Sequence, residues 1–128
     1  MIKLLATFGY ISNDIVLSCA AGGGRTAAME LAIEKGAPDF NYALVRAAEG
    51  GHIAAIELMI KHGAIEVNWA LNIAARKGRI EALRILIENG ATILDQGLII
   101  AAECGQIEAM RILIENGASD FEYARKLR

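Results

Sequence analysis

Apolar and polar positions along the chain follow a pattern that returns every 27 residues. The stretch ALNIAARKGRIEALRILIENGA, from Ala70 to Ala91, comes back as GLIIAAECGQIEAMRILIENGA from Gly97 to Ala118. One step earlier it reads ALVRAAEGGHIAAIELMIKHGA, Ala43 to Ala64, and before that VLSCAAGGGRTAAMELAIEKGA, Val16 to Ala37. Four copies align without a gap, which marks the chain as a short-period repeat array.

Each copy predicts two helices. Asp14, Asn41, Asn68 and Asp95 precede the first apolar run and are read as its N-caps. Leu17, Leu44, Leu71 and Leu98 then form one column. Three residues further on stand the alanine pairs Ala20-Ala21, Ala47-Ala48, Ala74-Ala75 and Ala101-Ala102. The i, i+3, i+4 spacing puts leucine and both alanines on one face, and alanine lets neighbouring helices approach closely. Glycines 24, 51, 78 and 105 mark a turn. A second, longer helix is expected after it, with apolar columns headed by Ile53, Ile56, Met59 and Ile60 and repeated one and two periods on. It stops at Gly36, Gly63, Gly90 and Gly117, each suited to the left-handed conformation that closes a helix. About four residues then lead to the next repeat, too few for a hairpin.

One such helix pair cannot bury its apolar face alone, and stacking supplies the partner. The expected fold is therefore all-α, a solenoid of helical hairpins with four full repeats, 14–40, 41–67, 68–94 and 95–121. A half repeat, 1–13, precedes them, and a partial repeat, 122–128, follows. Met1 to Gly9 match Ala28 to Gly36, which leaves Ile2, Leu4, Leu5 and Phe8 at an uncovered end and predicts weak end-to-end self-association. At the other end DFEYAR, Asp120 to Arg125, echoes DFNYAL, Asp39 to Leu44, with Arg125 in the place of the core leucine.

Composition sharpens this picture. Apolar residues are 55% of the chain but aromatics only 5%, so the core is aliphatic and alanine-rich. Thirteen basic against fifteen acidic residues give a formal charge of −2, which argues against the basic face that nucleic acid requires. No run approaches the ~18 apolar residues of a membrane span. The first residues look faintly like a lipoprotein signal, but Asn13 and Asp14 would interrupt it and the repeat register already accounts for them. Cys19 and Cys104 lie in the first and last full repeats, ~30 Å apart at ~10 Å per helix-packing step. A disulfide needs about 7 Å, so they cannot pair within one chain. Two free thiols fit a reducing, intracellular setting, and the cytoplasm is expected.

The run AAxxGxIEAxxxLIENGA is similar to the ankyrin repeat, whose unit has an alanine pair, a Gly-His turn and a Gly-Ala end. Gly51-His52 matches the turn, and Gly63-Ala64, Gly90-Ala91 and Gly117-Ala118 match the end. The unit here is 27 residues, against about 33 for the family. The missing residues fall where the family has its projecting β-hairpin, and its Thr-Pro-Leu-His signature is replaced by Tyr42 to Val45, Trp69 to Asn72 and Gln96 to Ile99. Short repeats of this kind resemble the arrays of large DNA viruses, including amoebal viruses and the asfarvirus multigene families. The resemblance implies a protein-binding scaffold that interacts with host proteins, with the contacts of the hairpin tips either moved to first helices and turns or absent.

No catalytic, cofactor or metal site is expected. Gly22-Gly23-Gly24 lacks the strand and the Gly-Lys-Ser/Thr end of a phosphate loop and reads as an inter-helix turn. His52 and His62 have no third ligand at suitable spacing. Glu81, Arg84 and Glu88, repeated as Glu108, Arg111 and Glu115, read as solvated ion pairs on a helix face. What remains is a surface. One column beside the alanine pair reads Gly22, Glu49, Arg76, Glu103, and another on the first turn reads Ile15, Tyr42, Trp69, Gln96. Tyrosine, tryptophan and arginine are enriched at binding hot spots, so Tyr42, Glu49, Trp69, Arg76 and Glu103 are the candidate partner-binding residues. The competing reading of Tyr42 and Trp69 is that they fill the space vacated by the hairpin. Two other roles stay open: a self-associating structural array, and a regulatory repeat domain cut from a longer chain.

Overall fold

Among the described residues, eight glycines with positive φ, from +69° to +110°, end the helices. In the computed structural model, which describes residues 12–37 and 39–118, the protein is all-α, with eight helices and no strand among the described residues. They are α1 (Asn13–Gly22), α2 (Thr26–Glu34), α3 (Phe40–Gly50), α4 (Ile53–Lys61), α5 (Val67–Lys77), α6 (Ile80–Glu88), α7 (Leu94–Glu103) and α8 (Ile107–Glu115). The half repeats expected at Met1 to Gly9 and from Asp120 lie outside the described residues. Two compact units divide between Ile65 and Glu66, the first holding α1 to α4 and the second α5 to α8.

Each unit is two helical hairpins packed side by side. In the first, α1 packs on α2, α3 on α4, α1 on α3 and α2 on α4; in the second, α5 to α8 repeat the arrangement. The same closure ends both helices of every hairpin. Ala64 N–H bonds Met59 O at 3.0 Å and Gly63 N–H bonds Ile60 O at 3.0 Å, while His52 N–H bonds Ala47 O at 3.0 Å and Gly51 N–H bonds Ala48 O at 3.0 Å. These nested bonds absorb the last carbonyls of the helix and require the residue between them to turn left-handed, which glycine does without steric cost. Asn89 and Asn116 add a side-chain donor to Ile85 O and Ile112 O, at 2.8 and 2.7 Å, just before their glycines.

The leucine column is the core. Leu17, Leu44, Leu71 and Leu98 have no exposed surface, and the alanine pairs beside them are buried except Ala102, which is half-buried. The second helices add Met29, Ile56, Leu83, Met59, Leu86 and Leu113, all fully buried. The Ile53 and Ile60 columns are shallower than the sequence suggests. They are half-buried in α4 and α6 and exposed in α8, whereas Ala55, Ala82 and Ala109 take the buried place.

Two sequence expectations are corrected. The second helices are shorter than the first, nine residues against ten or eleven. The reason is the second correction: Asp14, Asn41, Asn68 and Asp95 are not N-caps but lie inside the first turn. The caps stand two residues upstream at Ser12, Asp39, Glu66 and Ile93. Ser12 Oγ accepts the Ile15 N–H at 3.2 Å and Asp39 Oδ1 the Tyr42 N–H at 3.1 Å; Glu66 and Ile93 make no side-chain cap.

The polar column does a different job. Asp14 Oδ1 accepts the Asp39 N–H at 2.9 Å, Asn41 Oδ1 the Ile65 N–H at 2.8 Å, and Asn68 Oδ1 the Thr92 N–H at 2.8 Å and the Ile93 N–H at 3.3 Å. Each side chain thus reaches from the start of a first helix to the link that leaves the following second helix. A link of a few residues has no internal ladder to satisfy its backbone donors, and a short polar side chain supplies the missing acceptor.

Leu71→Ala is expected to lower stability by ~2–5 kcal/mol in urea melts, as for a buried large-to-small change. Glu88→Ala, at an exposed position, should stay within about 0.5 kcal/mol. Asn68→Ala should cost ~1 kcal/mol through the lost link acceptor. Asn68→Asp should cost less, because Asp14 performs the same task in the first hairpin.

Candidate binding face

The outward side of each first helix is a stripe at i, i+4, i+7. On α3 it is Tyr42, Arg46 and Glu49, and on α1 Ile15, Cys19 and Gly22. On α5 it is Trp69, Ile73 and Arg76, and on α7 Gln96, Ile100 and Glu103. The stripe lies opposite the Leu-Ala-Ala stripe because both obey the same helical period.

The five candidate residues fall into two sets. In the first unit Tyr42 and Glu49 share one face of α3, separated along the axis by ~10 Å, or seven residues at 1.5 Å each. In the second unit Trp69 and Arg76 share one face of α5 in the same way, and Glu103 occupies the position of Arg76 on the adjacent α7. Tyr42 and Trp69 keep 42% and 43% of their surface exposed. Arg76 and Glu103 are exposed and Glu49 is half-buried.

Arg46 belongs to this face and was not singled out from the sequence. Its guanidinium lies over the end of α1: a Cβ at Gly22 would come within 2.6 Å of Arg46 Nη2. Arg46 Nε stands 3.5 Å from Glu49 Oε1, close enough for ion pairing, yet that nitrogen is buried without a hydrogen bond. The signal in the sequence was the glycine at 22, where Glu49, Arg76 and Glu103 occupy the equivalent places.

Residues considered for other chemistry have structural partners. His52 Nε2–H donates to Gly22 O at 3.1 Å, since a carbonyl can only accept. Gln106 Nε2, two repeats on, donates to Arg76 O at 3.0 Å. Each turn residue thereby satisfies a carbonyl near the C-terminal end of the preceding first helix, which lacks an intrahelical donor. His62 closes α4 and stacks on Phe40 with ring centroids 5.7 Å apart. Gly22 ends α1, and Gly23 and Gly24 form the turn that follows. Among the described residues no three His, Cys, Asp or Glu side chains converge on a metal position. Cys19 and Cys104 are exposed free thiols. Glu81–Arg84 and Glu108–Arg111 pair at 3.8 and 2.7 Å, as their spacing suggests. No helix of the described residues is long and apolar enough to cross a membrane.

Residues 1–97 match the family model for ankyrin repeats (3 copies). No curated protein matches the chain. The hairpin of α7 and α8, beyond that match except at its start, keeps the same leucine, alanine pair and two closing glycines.

His52→Ala is expected to destabilise the first unit by ~1 kcal/mol, the net value of a hydrogen bond of this kind. His52→Gln should recover most of the loss, because glutamine already makes the equivalent bond at position 106. Thermal melts of the two variants beside the parent protein check this.

Proposed function

The chain belongs to the ankyrin repeat family, and on that premise we propose that it is a non-catalytic scaffold whose first helices hold another protein. Ankyrin repeats are in general protein–protein interaction modules. One observation supports the first helices as the site: Tyr42 and Trp69, at the same repeat position, each keep over two-fifths of their surface in solvent. Around them the stripe changes from repeat to repeat, with Glu49, Arg76 and Glu103 in one column. The outer faces of α6 and α8 are close to copies of each other, sharing the run RILIENGA. A face that varies on a framework that repeats is where specificity can reside, and aromatic anchors beside charges suit a hot spot.

The 27-residue unit without a projecting hairpin resembles the repeat arrays of large DNA viruses, so we take the partner to be a host protein and the setting to be the host cytoplasm. Affinity capture from host-cell lysate followed by calorimetry on the captured protein tests the reading. Trp69→Ala or Arg76→Glu should weaken binding by ~2 kcal/mol or more, about 30-fold. Arg84→Glu and Arg111→Glu, on the second helices, should leave it nearly unchanged. Normal binding by folded Trp69 and Arg76 variants, with loss in the second-helix pair, would move the site to the opposite side.

A further inference from the structure

We propose that Asn89 is a modification site, converted to aspartate and isoaspartate by its neighbour Gly90 when the end of α6 opens. Asn116 and Gly117 form a second copy of it at the end of α8. The proposal concerns the closures of the second helices and is separate from the first-helix face described above.

The chain has six asparagines, and the residue after each sets them apart. Asn13, Asn41, Asn68 and Asn72 precede Asp14, Tyr42, Trp69 and Ile73, whose side chains crowd the backbone nitrogen between the two residues. Asn89 and Asn116 precede glycine, which has no Cβ to shield that nitrogen. The reaction needs only these two residues and water. The Gly90 backbone nitrogen gives up its proton to solvent and attacks Asn89 Cγ. The N–Cγ bond forms, the Cγ–Nδ2 bond breaks, and the side-chain nitrogen takes a proton from water and leaves as ammonia. Water then opens the five-membered imide. Opening at Cγ leaves aspartate, and opening at the backbone carbonyl leaves isoaspartate, with the main chain rerouted through Cβ and Cγ. In sum, amide and water give acid and ammonia, and nothing is oxidised or reduced.

The folded closure blocks this reaction in three ways. Asn89 Nδ2–H donates to Ile85 O at 2.8 Å, which holds the leaving group and turns the side chain back along α6. Gly90 N–H, the nucleophile, donates to Ile87 O at 3.1 Å. Asn89 has φ −98° and ψ 18°, so the Gly90 nitrogen nearly eclipses the Asn89 backbone nitrogen and does not face Cβ and Cγ. Asn116 repeats all three, with Nδ2–H on Ile112 O at 2.7 Å, Gly117 N–H on Ile114 O at 3.1 Å and ψ 9°. All three blocks lie in the last helical turn, and helix ends open far more readily than the core.

The product closes less well than the parent. Either acid lacks the Nδ2–H donor to Ile85 O and puts a negative charge beside Glu88 at a helix C-terminus, where the dipole disfavours it. Isoaspartate also lengthens the main chain inside the ring that Ala91 N–H and Leu86 O close at 3.0 Å. The first unit has no such site, because Gly36 and Gly63 follow Lys35 and His62, which carry no side-chain carbonyl.

Peptide mapping by mass spectrometry on the full chain, aged in mildly alkaline buffer with and without urea, tests this. In urea the Asn89 and Asn116 peptides should convert to paired aspartyl and isoaspartyl forms, while Asn41 and Asn68 stay unchanged. In the folded protein conversion should be about tenfold slower or more, as for a step that runs only through local opening. Leu86→Ala keeps Asn89 and Gly90 but removes a buried side chain from their turn, and it should speed conversion at Asn89 without urea. Asn89→Asp should melt below the parent protein, and the isolated isoaspartyl chain lower still. Equal rates with and without urea would overturn the proposal. So would an Asn89 that stays an amide in urea, or an isoaspartyl chain that melts like the parent.

Discussion

None of these helices is long enough to stand by itself. At nine to eleven residues they fall short of the ~12–15 that an isolated helix needs in water. Their stability comes from burying the Leu-Ala-Ala stripe of each first helix against its neighbour, α1 on α3 and α5 on α7. A fully buried leucine contributes about 1.5–3 kcal/mol, and the alanines contribute by letting the backbones close on it. The other devices keep that contact in register. Left-handed glycines turn the chain within two or three residues, the turn side chains of His52 and Gln106 bind the preceding first helix, and the Asp/Asn column holds the links.

The Asp/Asn column does for the links what a ladder does for a β-hairpin. A hairpin satisfies its backbone through its own ladder, whereas a link such as Ala64 to Glu66 has no such ladder. Side-chain oxygens from Asp14, Asn41 and Asn68 fill that role at 2.8–2.9 Å. The Asp39, Ile65, Thr92 and Ile93 donors of these links are therefore satisfied without any strand pairing.

The period, the leucine column, the alanine pairs and the glycine stops were all legible in the sequence because they obey local rules of spacing and backbone conformation. The phase of the first helices was not. The true cap column, Ser12, Asp39, Glu66 and Ile93, is chemically mixed, and only its first two members cap with a side chain. The column two residues on is polar in all four repeats, its members Asp14, Asn41 and Asn68 serve the link, and a uniform polar column at a helix start imitates a cap. Exposure of Ile107 and Ile114 was hidden for another reason: α6 and α8 share nearly one sequence and differ only in what packs on them. On the first-helix face Tyr42, Trp69, Arg76 and Glu103 stood out by residue type, while Arg46 became visible only when the structure laid it across Gly22.

The protein then has two kinds of surface with different origins. First helices carry side chains that differ between repeats on a framework that does not, and second helices carry nearly the same face again and again. The whole depends on the buried stripe and on links held by side chains, and amide hydrogen exchange reads both at once. The slowest amides should be those of Leu44 to Ala48 and Leu71 to Ala75, with the Ile65 and Thr92 amides exchanging well below unfolded-chain rates. Exchange of Ile65 and Thr92 at unfolded-chain rates, or first helices no slower than second ones, would contradict it.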